Sequence, residues 1–256
     1  MAITRRKLIQ FSSLSLTLLP FISACTSEKN YTEEQNLILG GGRFKLSENG
    51  PTQYVFSTVD LRSNITSFIR LNFLPHGIHA HPDTPERLAV FEKKGPHACE
   101  IDLKNQELIR EITTDSSRYF YGHGTYSADG NLLFCTESNL QSLDGIIAVR
   151  DSKSMDYLGE FPSYGKEPHE CKLIDNGNIL VVTNGGGPVN GSPPSVTYID
   201  IHSEQLLETV NLTNPRINTG HMALAQDGSL SLTGTFTAST MIGNGNFQRG
   251  FYGLRA

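Results

Sequence analysis

From residue 75 onward, apolar and polar positions repeat one arrangement. A histidine is followed after a short half-apolar segment by an Asp-Gly or Asp-Asn-Gly turn, and then by an apolar run that ends in a polar residue. The close copies run from His123 through Asp129 and Gly130 to Glu137, from His169 through Asp175 and Gly177 to Asn184, and from His221 through Asp227 and Gly228 to Thr235. A looser copy starts at His76, passes Asp83 and ends at Glu92. The histidines are spaced by 47, 46 and 52 residues. Within a unit the apolar positions are short and separated by Gly, Asn, Asp and Ser, which is strand-and-turn patterning without a helical period. The second unit divides into strands at 123–128, 131–137, 145–150 and 157–161, and the third at 169–174, 178–183, 195–201 and 206–212.

Four antiparallel strands repeating every 40 to 50 residues predict β-propeller blades. The fold class is therefore all-β, a propeller of four-stranded blades with about four to five blades present. Ahead of His76 the chain offers strands at 36–41, 52–60 and 65–71 with no inner strand, and after the third unit only 221–226 and 229–235 remain. Seventeen strands do not divide into whole blades, and residues 237–256 carry little strand pattern. An open arc, from a chain cut short at its C-terminus, is the expected architecture. The competing reading is a four-bladed ring closed by strand 221–226 beside strand 36–41.

The first 25 residues read as an address. Arg5, Arg6 and Lys7 precede an apolar run at 8–22 and the small-residue site Ile22-Ser23-Ala24-Cys25. The run is shorter than the ~20 residues that span a bilayer, so a removed export signal is the better reading. Thr4-Arg5-Arg6-Lys7-Leu8 resembles a twin-arginine (Tat) signal, and the segment ending at Cys25 resembles a bacterial lipobox, in which Cys25 is lipidated. A plain membrane anchor is the alternative. Residues 1–25 are thus expected to be a Tat-type lipoprotein signal, 26–36 a polar tether, and 37–256 the propeller domain. Thr26 after the cysteine points to the periplasmic face of the outer membrane, so the membrane becomes a partner through the lipid.

Once residues 1–25 are removed, 18 basic residues face 26 acidic ones. That acidic balance, with no basic run, argues against nucleic acid as a partner. Of the four cysteines, Cys99, Cys135 and Cys171 remain, and the last two sit in apolar strand contexts as small buried hydrophobes.

The phrases at 121–130, 136–139, 145–151, 159–163, 168–170 and 181–186, from Tyr121-Gly122-His123-Gly124 to Val181-Val182-Thr183-Asn184-Gly185-Gly186, run in the order of a bacterial family. They resemble domain of unknown function 1513, over roughly residues 36 to 235. The resemblance implies an exported, often Tat-dependent, seven-bladed propeller of the YVTN or quinoprotein-dehydrogenase-like kind, usually longer than this chain. It also implies proximity to periplasmic iron-uptake proteins such as imelysin-like components, and it supplies no catalytic residues.

The chemistry must come from the repeat. Inner strands of a propeller line its channel, so His76, His123, His169 and His221 are candidate metal ligands for Cu, Fe or Zn. Further donors lie nearby at His79, His81, Glu170 and Cys171. Glu170, Glu137 and Asn184 are candidate ligand-binding residues; Glu137 and Asn184, like Glu92, end second strands, where capping is the simpler role. The opposing reading of the histidines is structural, a Gly-His hydrogen bond locking the turn between blades. His97 with Cys99 falls on an outer strand and His202 in a turn. The loop 185–194 is the longest insertion and a candidate binding surface, but it lacks the Lys-Ser/Thr ending of a phosphate loop. No Gly-x-Ser-x-Gly or His-Glu-x-x-His motif occurs. Two functions follow, a propeller that binds a ligand or partner in metal acquisition, and a metal-dependent enzyme, redox or lactonase-like, using the histidine ring. A degraded copy without activity is a third. Convergence of the four imidazoles on one point would favour a metal site.

Overall fold

The computed structural model describes residues 37–187, 191–212, 217–224, 230–236 and 250–254. Eighteen strands and one 3-10 turn at Asp175–Gly177 make up its regular structure. The first sheet holds β1 (Leu37–Lys45), β2 (Thr52–Asp60) and β3 (Thr66–Leu71). Blade one holds β4 (Pro75–Ala80), β5 (Arg87–Gly95), β6 (His97–Asp102) and β7 (Glu107–Thr113), and blade two β8 (Arg118–Tyr126), β9 (Leu132–Asn139), β10 (Asp144–Asp151) and β11 (Tyr157–Lys166). Blade three is β12 (Pro168–Ile174), β13 (Ile179–Asn184), β14 (Ser195–Asp200) and β15 (Leu206–Asn211). The last sheet is β16 (Ile217–Leu224), β17 (Leu230–Phe236) and β18 (Gly250–Leu254).

All neighbours pair antiparallel, as propeller blades require. Among the described residues the first three-stranded sheet has no inner strand, as its pattern predicts. Among the described residues β1 pairs only with β2, and β16 only with β17, so the first and last sheets are not joined and the arc stays open. Two details differ from the sequence reading. β18 forms in the Gly-rich tail, where the pattern is too weak to show a strand. The inner strand β8 starts five residues before His123, and its first half pairs with the end of β5 through Lys93–Tyr121 and Gly95–Phe120, joining blades one and two. Residues 1–36, with the signal and Cys25, lie outside the described residues, as do 188–190 of the long loop.

The core is a stack of interfaces between sheets, and it explains the apolar runs. A sheet covered on both faces buries every residue of its central strands. Along β5, Leu88 and Val90 pack with Phe56 and Ile69 of the first sheet, while Ala89 and Phe91 pack with Phe120 and Leu133 of blade two. In β9 the alternation recurs, with Cys135 facing blade one and Phe134 packing with Cys171, Leu180 and Val182 of blade three. Val181 turns the other way, toward Met222 of the last sheet. Successive side chains pointing to opposite faces is the period of a strand. Cys99, Cys135 and Cys171 are buried free thiols within these layers.

The outer hairpins repeat as closely as the inner strands. Asp60, Asp102, Asp151 and Asp200 each accept backbone N–H bonds from the turn that follows. Four residues after each aspartate, Asn64, Gln106, Met155 and Glu204 hold φ of 56°, 56°, 65° and 59°. The aspartate caps hold non-glycine residues in a left-handed conformation that costs energy. The match at Asp60 identifies β1, β2 and β3 as the outer three strands of a blade.

Candidate metal centre

Each candidate histidine sits at a break in the pairing of its inner strand. The register shifts between Pro75 and Gly77 around His76, between Phe120 and Gly124 around His123, between Pro168 and Glu170 around His169, and between Thr219 and Met222 around His221. A bulge turns a side chain out of the pleat and bends its strand. Repeated in four sheets, it aims four imidazoles at one place. Pro75, Gly122, Pro168 and Gly220 precede the histidines, and proline and glycine are the residues tolerated at bulges. That signal was present in the sequence.

The four side chains converge. One ligand atom from each of His76, His123, His169 and His221 lies within 4.8 Å of all the others. Ring centroids are 4.9 Å apart for His123–His169, His123–His221 and His169–His221, and 5.0, 5.5 and 5.7 Å from His76 to His123, His169 and His221. A tetrahedral ion with nitrogen at ~2.0–2.1 Å places its ligands ~3.3 Å apart. No separation therefore needs to shorten by more than about 1.5 Å, within reach of a χ rotation. His123 and His169 are buried, whereas the His221 side chain is 42% exposed, so the cluster opens on that side.

Close backbone approach makes room for the rings. A β-carbon on Gly77 would lie 2.0 Å from the Gly122 carbonyl oxygen and 2.8 Å from Nδ1 of His123. Threonines of the second strands tie neighbouring inner strands together beside the histidines. The Thr136 hydroxyl lies 2.8 Å from the carbonyl oxygen of His123 and 3.3 Å from that of His169. Thr183 repeats this one blade on, donating to Gly220 O at 2.8 Å while accepting the Glu170 N–H at 3.0 Å.

Three of the four imidazoles, those of His76, His123 and His169, are held neutral. Burial, reinforced by Lys93 and His221, pushes His76 down to about 4. Burial and the neighbouring rings hold His123 and His169 well below the usual range. Neutral imidazole is the ligand form. Nε2 of His76 and Nε2 of His123 are buried with no hydrogen-bond partner, an arrangement that a bound cation would relieve.

Two residues stand behind the ligands. Nε2 of His79 is 3.3 Å from Nδ1 of His123, so a His123 ring that donates there keeps its Nε2 lone pair free. Oε2 of Glu170 is 3.4 Å from Nδ1 of His221 and accepts the Met222 N–H at 2.7 Å. Burial works to raise the Glu170 carboxyl, but His221, Lys172 and the Met222 amide together hold it down at about 2. Carboxylate behind histidine is the usual outer shell of a metal site.

The other predicted residues go elsewhere. Glu137 is buried beside Arg118 and Arg150, at 3.7 and 3.8 Å, at an outer crevice between blades one and two. Asn184 accepts from Ser163 Oγ at 2.7 Å and donates to Thr197 Oγ1 at 3.1 Å, capping its strand end. His81 performs the turn-locking considered for all the repeats. Its Nε2 meets the Gly130 carbonyl at 2.9 Å, and its Nδ1 accepts the amides of Asp83 and Thr84. His97 stacks on Phe73, and His202 lies at 3.2 Å from Asn178 in an exposed turn.

A family model described as protein of unknown function (DUF1513) matches residues 71–241, about two thirds of the chain. The chain belongs to the DUF1513 family. Three complete blades and three of the four clustered histidines lie inside the match before residue 212, and His221 follows within it. No curated protein matches this DUF1513 chain in sequence. Among solved structures it is similar to Kuenenia stuttgartiensis hydrazine synthase, with TM-score 0.60 and 18% identity over 73% of this chain and 53% of that one. It therefore spans about half the length of that protein. It is also similar to the β-propeller domain of Myceliophteria thermophila Cps50 (Swd1), with TM-score 0.53 and 10% identity over 84% of this chain and 67% of that one. At these identities the likeness establishes the DUF1513 fold as a β-propeller and nothing of its chemistry.

Proposed function

We propose that this DUF1513 propeller is an exported, lipid-anchored protein that binds one transition-metal ion between four blades and serves periplasmic metal acquisition. The observation that carries the reading is the convergence of His76, His123, His169 and His221 from four separate strand bulges. A turn-locking role leaves no reason for Nε2 of His76 and Nε2 of His123 to be buried without a hydrogen-bond partner, and His81 already fills that role.

Four imidazole ligands with no carboxylate or thiolate among them select a borderline cation. Copper, at the top of the Irving–Williams order, and zinc suit such a set, and ferrous iron suits it less well; ferric iron prefers oxygen. Four protein ligands close a tetrahedral shell, whereas a catalytic site keeps one position open. This favours holding or passing on an ion over the lactonase-like enzyme, which would need the half-exposed His221 to leave. Arg5, Arg6 and the segment ending at Cys25 support export by the Tat route and anchoring at the periplasmic face of the outer membrane. In that setting the partners are the membrane, through the lipid, and iron-uptake proteins of the periplasm.

The test is metal analysis of the purified mature chain beside a His123→Ala/His169→Ala variant, after incubation with copper or zinc and desalting. About one equivalent is expected in the wild-type chain and none in the variant. Equal metal content in both would remove the proposal.

A further inference from the structure

A line of aromatic rings leads away from the four histidines. The Tyr121 ring meets His169 edge-on with centroids 5.5 Å apart, and the Tyr119 ring follows at 5.9 Å from Tyr121. Both tyrosines are buried, and both belong to β8, the inner strand that also carries His123. Tyr119 reaches the wall of a cavity of about 510 Å³ at the edge of blades one and two, lined also by Lys94, Pro96, Thr114, Asp115 and Arg118. The rings therefore connect the metal site to an opening beside the strand ends of blades one and two.

Burial pushes the Tyr119 phenol up to about 12, so it stays protonated. Lys94 Nζ sits 4.9 Å above the Tyr121 ring, and a cation there makes removal of an electron from that ring harder. The Tyr119 hydroxyl donates to Glu167 Oε1 at 3.2 Å, and Lys94 pairs with the same carboxylate oxygen at 3.0 Å. Such closely spaced rings shorten the gaps through which an electron tunnels, without themselves becoming radicals. Four nitrogen ligands that close the coordination shell suit an ion that changes charge without taking up a substrate.

We propose that the site is redox-active with copper and that His169, Tyr121 and Tyr119 carry one electron between the ion and a one-electron redox protein docked at this cavity. This rests on the metal-binding reading above. In the oxidising direction copper(I) becomes copper(II) and the acceptor gains the single electron. No bond is made or broken and no proton moves, because Tyr119 keeps its hydrogen bond to Glu167.

The experiment loads the full mature chain with copper(I) under anaerobic conditions, measures bound copper, and then mixes it with ferric cytochrome c in a stopped-flow instrument. Wild type is compared with Tyr121→Leu, Tyr121→Phe and Tyr119→Leu. Both leucine variants should retain their copper and reduce cytochrome c at least tenfold more slowly, whereas Tyr121→Phe, which keeps the ring, should stay within about threefold of wild type. Equal rates in wild type and Tyr121→Leu at equal copper content would overturn the electron path while leaving the metal site standing. Equal loss of rate in the Phe and Leu variants would overturn it too, since the ring would then not be what matters. Failure of wild type to bind copper at all would instead remove the metal reading, and the path with it.

Discussion

A β-carbon placed on Gly122 would lie 2.7 Å from Cδ2 of His76, so the imidazole of one inner strand rests on the bare backbone of the next. Gly122 also holds φ of +116°, a conformation open to glycine and costly for other residues. Gly122→Ala should therefore cost about 1–3 kcal/mol in backbone strain and push His76 out of the cluster. Urea unfolding with metal analysis checks both effects. Gly159→Ala is the matched control, because nothing lies within 4 Å of its added carbon, and it should bind metal like the parent.

Glu170 holds His221 from behind, and its effect separates from folding. Glu170→Gln keeps an acceptor for the Met222 amide but removes the charge facing Nδ1 of His221. Loss of such an outer-shell partner weakens metal binding about 10- to 100-fold. Competition with a chromophoric chelator would measure this, and unchanged affinity at unchanged melting temperature would show that the carboxylate does not tune the site.

Much of this architecture can be read from the chain, and the reason is repetition. The runs at Leu88–Phe91, Leu133–Cys135 and Leu180–Val182 are apolar throughout because both faces of every blade are covered, and the Asp-capped turns recur with them. The four histidines share the same legibility. What periodicity hides is how equivalent positions diverge. Glu92 accepts the His97 amide, Glu137 faces two arginines, and Asn184 binds Ser163 and Thr197, although all three lie at or near the ends of second strands. Likewise His81, two residues beyond His79, locks a turn through contacts 49 positions away that local pattern cannot show. The bulges depend on pairing between strands, so the sequence marks them only through the Gly or Pro before each histidine.

Glu137 should leave a signature in the pH dependence of stability. Burial pushes its carboxyl up to about 7, against the pull of Arg150 and Arg118. Its folded form therefore binds a proton more tightly than the unfolded chain does, so stability falls as pH rises from about 4.5 to about 7. At about 1.4 kcal/mol per pH unit the loss is roughly 3 kcal/mol. His76 and His79, both lowered to about 4, act in the opposite sense over about 4 to 6.5, so wild type alone would mix the two. The difference between wild type and Glu137→Gln isolates the carboxylate. Glu137→Gln should gain on wild type as pH rises through this window, and a flat difference from pH 4.5 to 7 would contradict the burial of an ionisable Glu137.

Glu100 joins blades one and two through charge, and its removal should be among the costlier single changes in the domain. Its side chain is fully buried, pairs with Nε of Arg87, and lies 2.9 Å from Nε of Arg110. Arg87 in turn donates to the Ser152 carbonyl of blade two, so the carboxylate orients a guanidinium that bridges two sheets. Glu100→Ala leaves that guanidinium partly buried and without its counter-ion, a situation that costs about 3–5 kcal/mol. Arg110 has 37% of its side chain exposed and depends less on the pair, but Arg110→Ala takes the partner from Oε2 of the fully buried Glu100 and should cost about 1–3 kcal/mol, less than Glu100→Ala. Denaturant titration of the two variants gives the comparison directly. Equal losses would mean that the charge is shared evenly and that Arg87 does not depend on Glu100 to hold the blades together.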